Sequence, residues 1–251
     1  MSDDMKKLVT FLVIPIIVVP NLYSQNLNFP GTAPSLSLTI HLKKIDLNFL
    51  TANKFRHGHH TIKDIDYEPR WLEIYSQALA SYKLSEHWQI AAGYGFQRNN
   101  PVRDDWRNEH RLVQQVMFNA PLGKLKFFNR FRFEERWFSY PASANAFGTR
   151  TRYQAGIIKQ LSKRMVYWQF NNEIYAITSG PKNSFISENW VYTGIGFPVN
   201  GLGHLETGIG YNSIVRNSHK DLMSLILLQV NWSFVIPSKM KMHPVMHSRQ
   251  F

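Results

Sequence analysis

The 251-residue sequence predicts an all-β protein, and three observations lead to that prediction. From residue 36 onward, apolar and polar residues alternate with a period of two, which is the period of a strand with one apolar face. Short turns and longer links separate the alternating segments in regular succession. The sequence also lacks an uninterrupted apolar run of about 18 residues, the length that a membrane helix needs. Together these features favour a sheet over a helical bundle.

The chain begins with a segment typical of an export signal. Lys6 and Lys7 form a basic n-region, and residues 8–19 form an almost wholly apolar h-region. Residues 23–25 are a short polar segment of the kind that precedes signal cleavage. A membrane anchor is the alternative, but the apolar run is short for a membrane span. We therefore expect residues 1–25 to be a signal peptide that is removed.

The composition restricts the classes of function. The chain has 29 Lys and Arg against 17 Asp and Glu, which gives a net charge of +12 and ordinarily suggests a nucleic-acid partner. Export argues against such a partner, so we expect no nucleic-acid binding. The sequence has no cysteine, which excludes disulfides, thiol catalysis and Cys-based zinc sites.

The elements follow in order from residue 26. Residues 26–43 form an N-terminal segment that could supply a first strand, residues 44–236 form the main domain, and residues 237–251 form a basic tail. The alternating segments of the main domain cover residues 44–54, 71–84, 88–98, 109–120, 125–137, 149–161, 165–178, 188–199, 203–215 and 220–236. Segment 125–137 alternates most sharply, with an apolar face on one side and a charged face on the other.

The connections between these segments alternate in length. Short turns lie at 85–86, 122–124, 162–164 and 200–201, and longer links lie at 55–70, 99–108, 139–148, 179–187 and 214–219. Strands of about ten residues with short turns at one end and longer loops at the other are typical of outer-membrane barrels. A secreted sandwich or a lipocalin-like barrel is the soluble alternative. Charges in the middle of the polar faces and tryptophans on the apolar faces favour a barrel that faces lipid.

The predicted fold is a transmembrane, up-and-down antiparallel β-barrel of ten strands. An even number of strands places both termini on the short-turn side, as is usual for such barrels. Residues 36–42 also alternate, and a two-residue turn at Lys43-Lys44 would join them to the next segment. That strand would make eleven, or twelve if residues 26–32 supply a further short strand. We expect ten strands, with twelve as the alternative.

Several short motifs resemble those of one protein family. They are residues 130–137, 150–153, 172–173, 194–196 and 206–211, and the similarity spans roughly residues 70–236. They resemble an uncharacterised family of small outer-membrane barrels, common in Bacteroidota, that carries a domain-of-unknown-function label. The resemblance implies a β-barrel in the outer membrane of a Gram-negative bacterium and implies no activity. The basic tail departs from the family pattern.

If the apolar faces meet lipid, the charged residues of the opposite faces point into the lumen. The predicted lumenal charge cluster consists of Arg111, Lys126, Arg130, Arg132, Glu134, Arg136, Arg150, Arg152, Glu173 and Glu206. Side chains largely fill a narrow barrel, and buried charges need partners. We therefore expect a salt-bridged lumen and a structural or interaction role, such as an accessory subunit of an outer-membrane complex. The alternative is a narrow anion-selective channel lined by arginines.

The sequence predicts neither a metal site nor a cofactor. His57, His59 and His60 are weak candidates for metal ligands, because acidic residues follow them in the same loop. They lack a defined ligand spacing on a rigid element. The expected partners are outer-membrane lipid, the barrel-assembly machinery during biogenesis, and an envelope protein complex.

The second alternative is a lipid-modifying enzyme of the outer membrane. His110, His204 and His219 lie on or beside strand ends, where a base could meet a nucleophile. None has an evident serine on the same face, and the sequence contains no Gly-x-Ser-x-Gly motif. We therefore expect the protein not to be an enzyme.

Overall fold

The structure, a computed structural model, describes residues 26–236 except 63–64, 163, 181–185, 200–202 and 216–221. The predicted signal peptide and the basic tail lie outside the described residues. In the part of the chain that is described, no helix is long and apolar enough to cross a membrane.

The described chain is built from strands. They are β1 Asn26–Leu42, β2 Ile45–Arg56, β3 His60–Ile62, β4 Ile65–Tyr67, β5 Arg70–Lys83, β6 Trp88–Asn99, β7 Arg107–Leu122, β8 Leu125–Ser139, β9 Ala146–Gln160, β10 Tyr167–Ser179, β11 Ile186–Val199, β12 Gly203–Val215 and β13 Leu222–Ile236. Eleven of them form one closed barrel, and β3 and β4 form a separate hairpin in the loop after β2. Each strand of the barrel except the first and last neighbours the strands that precede and follow it in that closed sheet.

The predictions of ten strands and of twelve strands are both wrong, because the barrel has eleven. Residues 26–42 form a single strand of 17 residues, so the barrel begins at residue 26 and not at residue 44. A two-residue turn at Lys43 and Lys44 joins β1 to β2, as the change of phase in the sequence indicates.

The prediction of a wholly antiparallel barrel is also wrong. β1 pairs with β2 in antiparallel fashion, but it pairs with β13 in parallel fashion. With an odd number of up-and-down strands, the first and the last run in the same direction, so their pairing must be parallel. The ladder to β2 is interrupted at residues 33 and 34, where Pro34 has no N–H to donate.

The connections lie at two ends of the barrel. The turns at 43–44, 84–87 and 123–124 lie at one end, called here the short-turn end, and the connections at 57–69 and 100–106 lie at the other, called here the loop end. β1 therefore starts at the loop end and β13 finishes at the short-turn end. The predicted location of both barrel termini on the short-turn side does not hold, because the extra strand reverses the start of the chain.

Side chains alternate between the inside and the outside of the barrel, as the period of two predicts. In β8, Arg130, Arg132 and Glu134 are buried inside, whereas Phe131 and Trp137 on the outside are 52% and 44% exposed. The same arrangement recurs in β6, β7 and β13. The barrel thus has a polar, charged interior along most of its wall and an apolar exterior.

Candidate lumenal site

The strands β7 to β10 place arginines and glutamates at neighbouring heights inside the barrel. Glu134 of β8 lies directly opposite Arg150 of β9, and Arg132 lies opposite Arg152. Because inward positions recur every second residue, the charged positions of each strand stack along the lumen. The result is a network of ion pairs with one group around Glu109 and another around Glu134 and Glu173.

Glu134 is at the centre of this network and is fully buried. Arg150 Nη2 lies 2.6 Å from one carboxylate oxygen, and Arg152 Nη1 donates to the other at 3.0 Å. The guanidinium group of Arg132 lies 3.8 Å away. A carboxylate held by several guanidinium donors in this way forms charge-assisted hydrogen bonds, which are stronger than neutral ones.

Two further glutamates extend the network on either side. Glu173 accepts hydrogen bonds from Arg152 Nε at 2.8 Å and from Arg130 Nη2 at 2.9 Å. Glu109 accepts hydrogen bonds from Arg136 Nε and from Arg111 Nε, each at 2.5 Å. Each of the three glutamates is therefore shared by at least two arginines, which offsets the repulsion between arginines on adjacent strands, such as Arg132 and Arg152.

Neutral groups complete the coordination of these charges. Arg132 donates to Gln115 Oε1 at 2.7 Å and to Gln77 Oε1 at 3.0 Å, and the Tyr175 hydroxyl accepts a hydrogen bond from Arg152 Nη2 at 2.9 Å. Buried charges are tolerated only when they are paired and hydrogen-bonded, so these amides and hydroxyls are part of the network.

The structure brings together eight of the ten residues that the sequence predicted for the lumenal cluster. They are Arg111, Arg130, Arg132, Glu134, Arg136, Arg150, Arg152 and Glu173. Lys126 is half-buried near the short-turn end of β8. Glu206 is buried on β12, where it accepts hydrogen bonds from the hydroxyls of Tyr167 at 2.7 Å and Tyr192 at 2.9 Å.

The sequence prediction missed Glu109, which is fully buried and ion-paired. Its position two residues before Arg111 is the signal that could have identified it, because residues two apart in a strand share a face. Residue 109 is the first of the predicted segment 109–120, and alternation is hardest to assign at the ends of a strand.

A cavity of about 260 Å³ lies in the half of the lumen nearer the loop end. Arg111, Arg136 and Arg150 border it on the side of the charge network. Ile214 of β12 and Leu227 of β13 border it on the opposite side. The cavity therefore has one charged wall and one mostly apolar wall, in which Asn212 and Gln229 are the polar residues.

Aromatic side chains also line this cavity and contact its cations. The guanidinium group of Arg152 lies 4.4 Å from the ring centre of Tyr175, and Lys54 Nζ lies 4.2 Å from that of Trp190. Arg111 lies 5.0 Å from the ring centre of Tyr75. These distances are those of cation–π interactions. Each cation is thus placed by a ring as well as by a carboxylate.

The apolar wall continues to the mouth of the barrel as a buried cluster. It consists of Leu27 and Phe29 of β1 and Leu225 and Leu227 of β13. The ring centre of Phe29 lies 4.9 Å from that of Tyr67, so the β3–β4 hairpin rests on this cluster.

The histidines proposed as weak metal ligands have other contacts. His57 Nε2 lies 2.9 Å from Thr32 Oγ1, and His59 Nε2 lies 3.6 Å from Asp66 Oδ1. His60 packs edge-on against Phe29. Among the described residues, no group of three or more His, Asp or Glu is placed to hold a metal ion. The acidic residue at position 64 of the same loop lies outside the described residues.

The histidines of the enzyme alternative lie in different places. The ring of His110 is on the outer face of the barrel, where it hydrogen-bonds the hydroxyl of Tyr94 and packs against Phe96. His204 is at the start of β12, opposite Ser233 of β13, whose hydroxyl donates to the His204 carbonyl oxygen at 3.3 Å. His219 lies outside the described residues.

Comparison with known families matches residues 34–223 to the family described as protein of unknown function (DUF2490). The chain belongs to the DUF2490 family. The domain-of-unknown-function label that the sequence motifs predicted is therefore confirmed. The DUF2490 match contains all of β2 to β12, which carry the charge network, whereas Leu227 and the rest of the apolar cluster lie outside it. Searches of curated proteins and of solved structures give no match.

Proposed function

We propose that this DUF2490 chain is an outer-membrane β-barrel whose lumen is closed by side chains. In this proposal it acts as a structural or interaction component of the Gram-negative envelope, such as an accessory subunit of a complex, and not as an open pore. The observation that carries the proposal is the distribution of polarity, with apolar side chains outside and an ion-paired network inside.

The outer surface supports a membrane environment. Leu112, Val116, Phe131, Ile209 and Leu228 all face outward, each between 39% and 52% exposed. A soluble barrel places its apolar residues inside, so an exterior of this kind would be unfavourable in water. The barrel strands have 12 to 17 residues, against the roughly 9–11 residues that a tilted membrane strand needs.

The positions of the outward aromatic residues also support it. Trp88 and Trp232 lie near the short-turn end, and Trp137 and Phe147 lie near the loop end with ring centres 5.4 Å apart. Outer-membrane barrels carry such aromatic girdles where the apolar band meets the two interfaces. The closed ladder supports the same environment, because lipid offers no partner for an unpaired strand edge.

The lumenal network supports a closed barrel over an anion channel. Arg132 and Glu134 are both completely buried in the middle of the lumen. An anion that passed this point would have to displace carboxylates from the guanidinium groups that hold them at 2.6–3.0 Å. Anion pores instead present rings of basic residues to the permeating ion.

Localisation can be tested on the full chain with its own export signal. We expect it to fractionate with the outer membrane of a Gram-negative host and to migrate differently in SDS gels with and without boiling, because a closed barrel resists SDS. Recovery as a soluble periplasmic protein would overturn the proposal.

Conductance separates the closed barrel from the channel. In planar bilayers we expect the wild-type protein to give no open-pore current. The double variant Arg132→Ser, Glu134→Ser removes one cation and one anion together and should allow current. A wild-type anion current that falls in Arg130→Gln and Arg132→Gln would establish the channel instead.

The enzyme alternative has its own measurement. We expect the purified barrel in detergent to leave phospholipid and lipid A unchanged. Turnover that is lost on substitution of His110 or His204 would identify an enzyme.

A further inference from the structure

We propose that the cavity near the loop end binds a small organic anion with an apolar body. The inference goes beyond the proposed function, since it stands on the lining of the cavity and does not require the membrane location. Three features of the cavity carry it: its volume, its charge and the difference between its two walls.

The volume sets the size of the ligand. About 260 Å³ exceeds the roughly 150 Å³ of an apolar cavity that holds benzene, and it is close to the roughly 300 Å³ at which pockets for drug-sized ligands begin. One aromatic ring or a short alkyl chain with an acidic group fits this range. A phospholipid with two long acyl chains does not.

The charge of the lining sets the sign of the ligand. The basic residues that line the cavity are Lys54, Arg107, Arg111, Arg136, Arg150 and Arg152, and the acidic ones are Glu73, Glu109, Glu173 and Glu188. Six basic groups against four acidic groups leave an excess of two positive charges. A carboxylate or a phosphate ester reduces this excess, and the guanidinium group of Arg107, which is 4.0 Å from Glu109 and 30% exposed, can donate to either without displacing a carboxylate from a closer ion pair.

The opposite wall sets the shape of the ligand. Ile214, Met223 and Leu227 provide apolar surface there, next to the amides of Asn212 and Gln229. Trp190 and Tyr192 provide aromatic surface beside it. A ligand that is only an ion, such as inorganic phosphate, would leave this surface in contact with water. A ligand with an apolar body buries it, which is favourable by about 25 cal/mol per Å². We therefore expect the acidic group to point to β7–β9 and the body to point to β12–β13.

The binding test uses the purified full chain in detergent and isothermal titration with 3-phenylpropionate. Saturable binding of 3-phenylpropionate is expected. 3-Phenylpropan-1-ol, which has the same body without the charge, should bind at least about tenfold more weakly. Acetate and inorganic phosphate, which lack the body, should also bind at least about tenfold more weakly. Octanoate distinguishes an alkyl from an aromatic body, and binding of either organic anion supports the proposal. Equal binding of the alcohol, or binding of neither organic anion, would overturn it.

Two steric variants locate the binding site. Ala52 lines the cavity, whereas Ala78 on the neighbouring strand β5 faces outward. Ala52→Phe should fill the cavity and lower the affinity at least about tenfold, and Ala78→Phe should leave it unchanged. The same loss in both variants, or in neither, would contradict binding in this cavity.

Two charge variants keep the test informative if Ala52→Phe does not fold. Arg107 lies at the edge of the network, 4.0 Å from Glu109, and Glu188 lies 3.4 Å from Arg150. Arg107→Gln removes a positive charge and should weaken binding of the anion several-fold, while Glu188→Gln removes a negative charge and should strengthen it several-fold. Both variants should bind the alcohol as the wild type does. Shifts in the same direction for both variants would refute an electrostatic role for the lining.

Discussion

The two sides of the lumen fill the barrel by different chemistry. On β7–β10, three buried glutamates hold arginines in ion pairs of 2.5–3.0 Å. Across the barrel, on β1 and β13, four buried apolar side chains pack together. The first side depends on direction and pairing, and the second depends on volume. The cavity lies where these two kinds of packing meet.

This difference predicts different responses to substitution. A buried ion pair contributes little net free energy when both partners are present, because its attraction only offsets the loss of hydration. Removal of one partner leaves an uncompensated buried charge, which costs about 3–5 kcal/mol. Truncation of a buried apolar side chain, in contrast, lowers the free energy of unfolding by roughly the transfer free energy of the lost atoms plus the cost of the cavity that is left.

The largest effect is expected for Glu134→Gln, which keeps the shape of the side chain and removes its charge. Arg150 and Arg152 then lose their shared carboxylate inside the lumen. We expect the free energy of unfolding to fall by about 3–5 kcal/mol. It can be measured by urea titration in detergent, followed by tryptophan fluorescence.

The matched control is Glu135→Gln, one residue further along β8 on the outward face. This variant should change the free energy of unfolding by about 0.5 kcal/mol or less. Equal losses for the two variants would mean that the charge network does not distinguish the inside of the barrel from the outside.

A smaller effect is expected on the apolar side, for Leu227→Ala. Leu227 is fully buried in the cluster and also borders the cavity, so its truncation enlarges a space that already exists. We expect the free energy of unfolding to fall by about 2–3 kcal/mol, at the low end of the range for buried leucines. Leu228→Ala, on the outward face of the same strand, is the control and should change the free energy of unfolding far less in detergent. A greater loss for Leu227→Ala than for Glu134→Gln would reverse the proposed order of the two sides.

Tyr175→Phe tests the neutral groups of the charged side. The Tyr175 hydroxyl accepts a hydrogen bond from Arg152 at 2.9 Å and donates one to Glu173 at 3.1 Å, while its ring stays in contact with both Arg150 and Arg152. The variant keeps the ring and removes the hydroxyl, so we expect the free energy of unfolding to fall by about 1.5 kcal/mol. The exposed Tyr82 provides the control as Tyr82→Phe. If both variants keep the wild-type stability, the hydroxyl has no part in holding the network.

The same two sides explain which features could be predicted from the sequence. On the charged side, one face of β8 carries arginines and a glutamate while the other carries aromatics, so the period of two assigns each residue to the inside or the outside. On β13, Leu225, Ile226, Leu227 and Leu228 are consecutive and all apolar. The residues that follow set the phase and assign Ile226 and Leu228 to the outside, as the structure confirms. Leu225 and Leu227 then fall on the face that is otherwise polar, so alternation gives no sign of the apolar wall or of the cavity.

The number of strands is a different kind of property. The pairing of β1 with β13 joins residues that are about two hundred positions apart, and no local pattern reports it. Pro30, Gly31 and Pro34 further weaken the strand pattern at the start of β1, although their positions are compatible with this pairing. The sequence therefore predicts the faces of each strand well and the closure of the barrel poorly.

The smallest effect is expected for an exposed polar contact outside the lumen. His59 and Asp66 in the β3–β4 hairpin are 3.6 Å apart, but their side chains are 58% and 64% exposed. Asp66→Asn keeps an oxygen that can accept the hydrogen bond from Thr61 Oγ1 and removes only the charge. Water and salt screen an exposed pair, so we expect a change of less than about 0.5 kcal/mol in the same urea titration. A loss as large as that of Glu134→Gln would show that burial is not what makes the lumenal pairs sensitive, and the contrast between the two sides of the barrel would then need another cause.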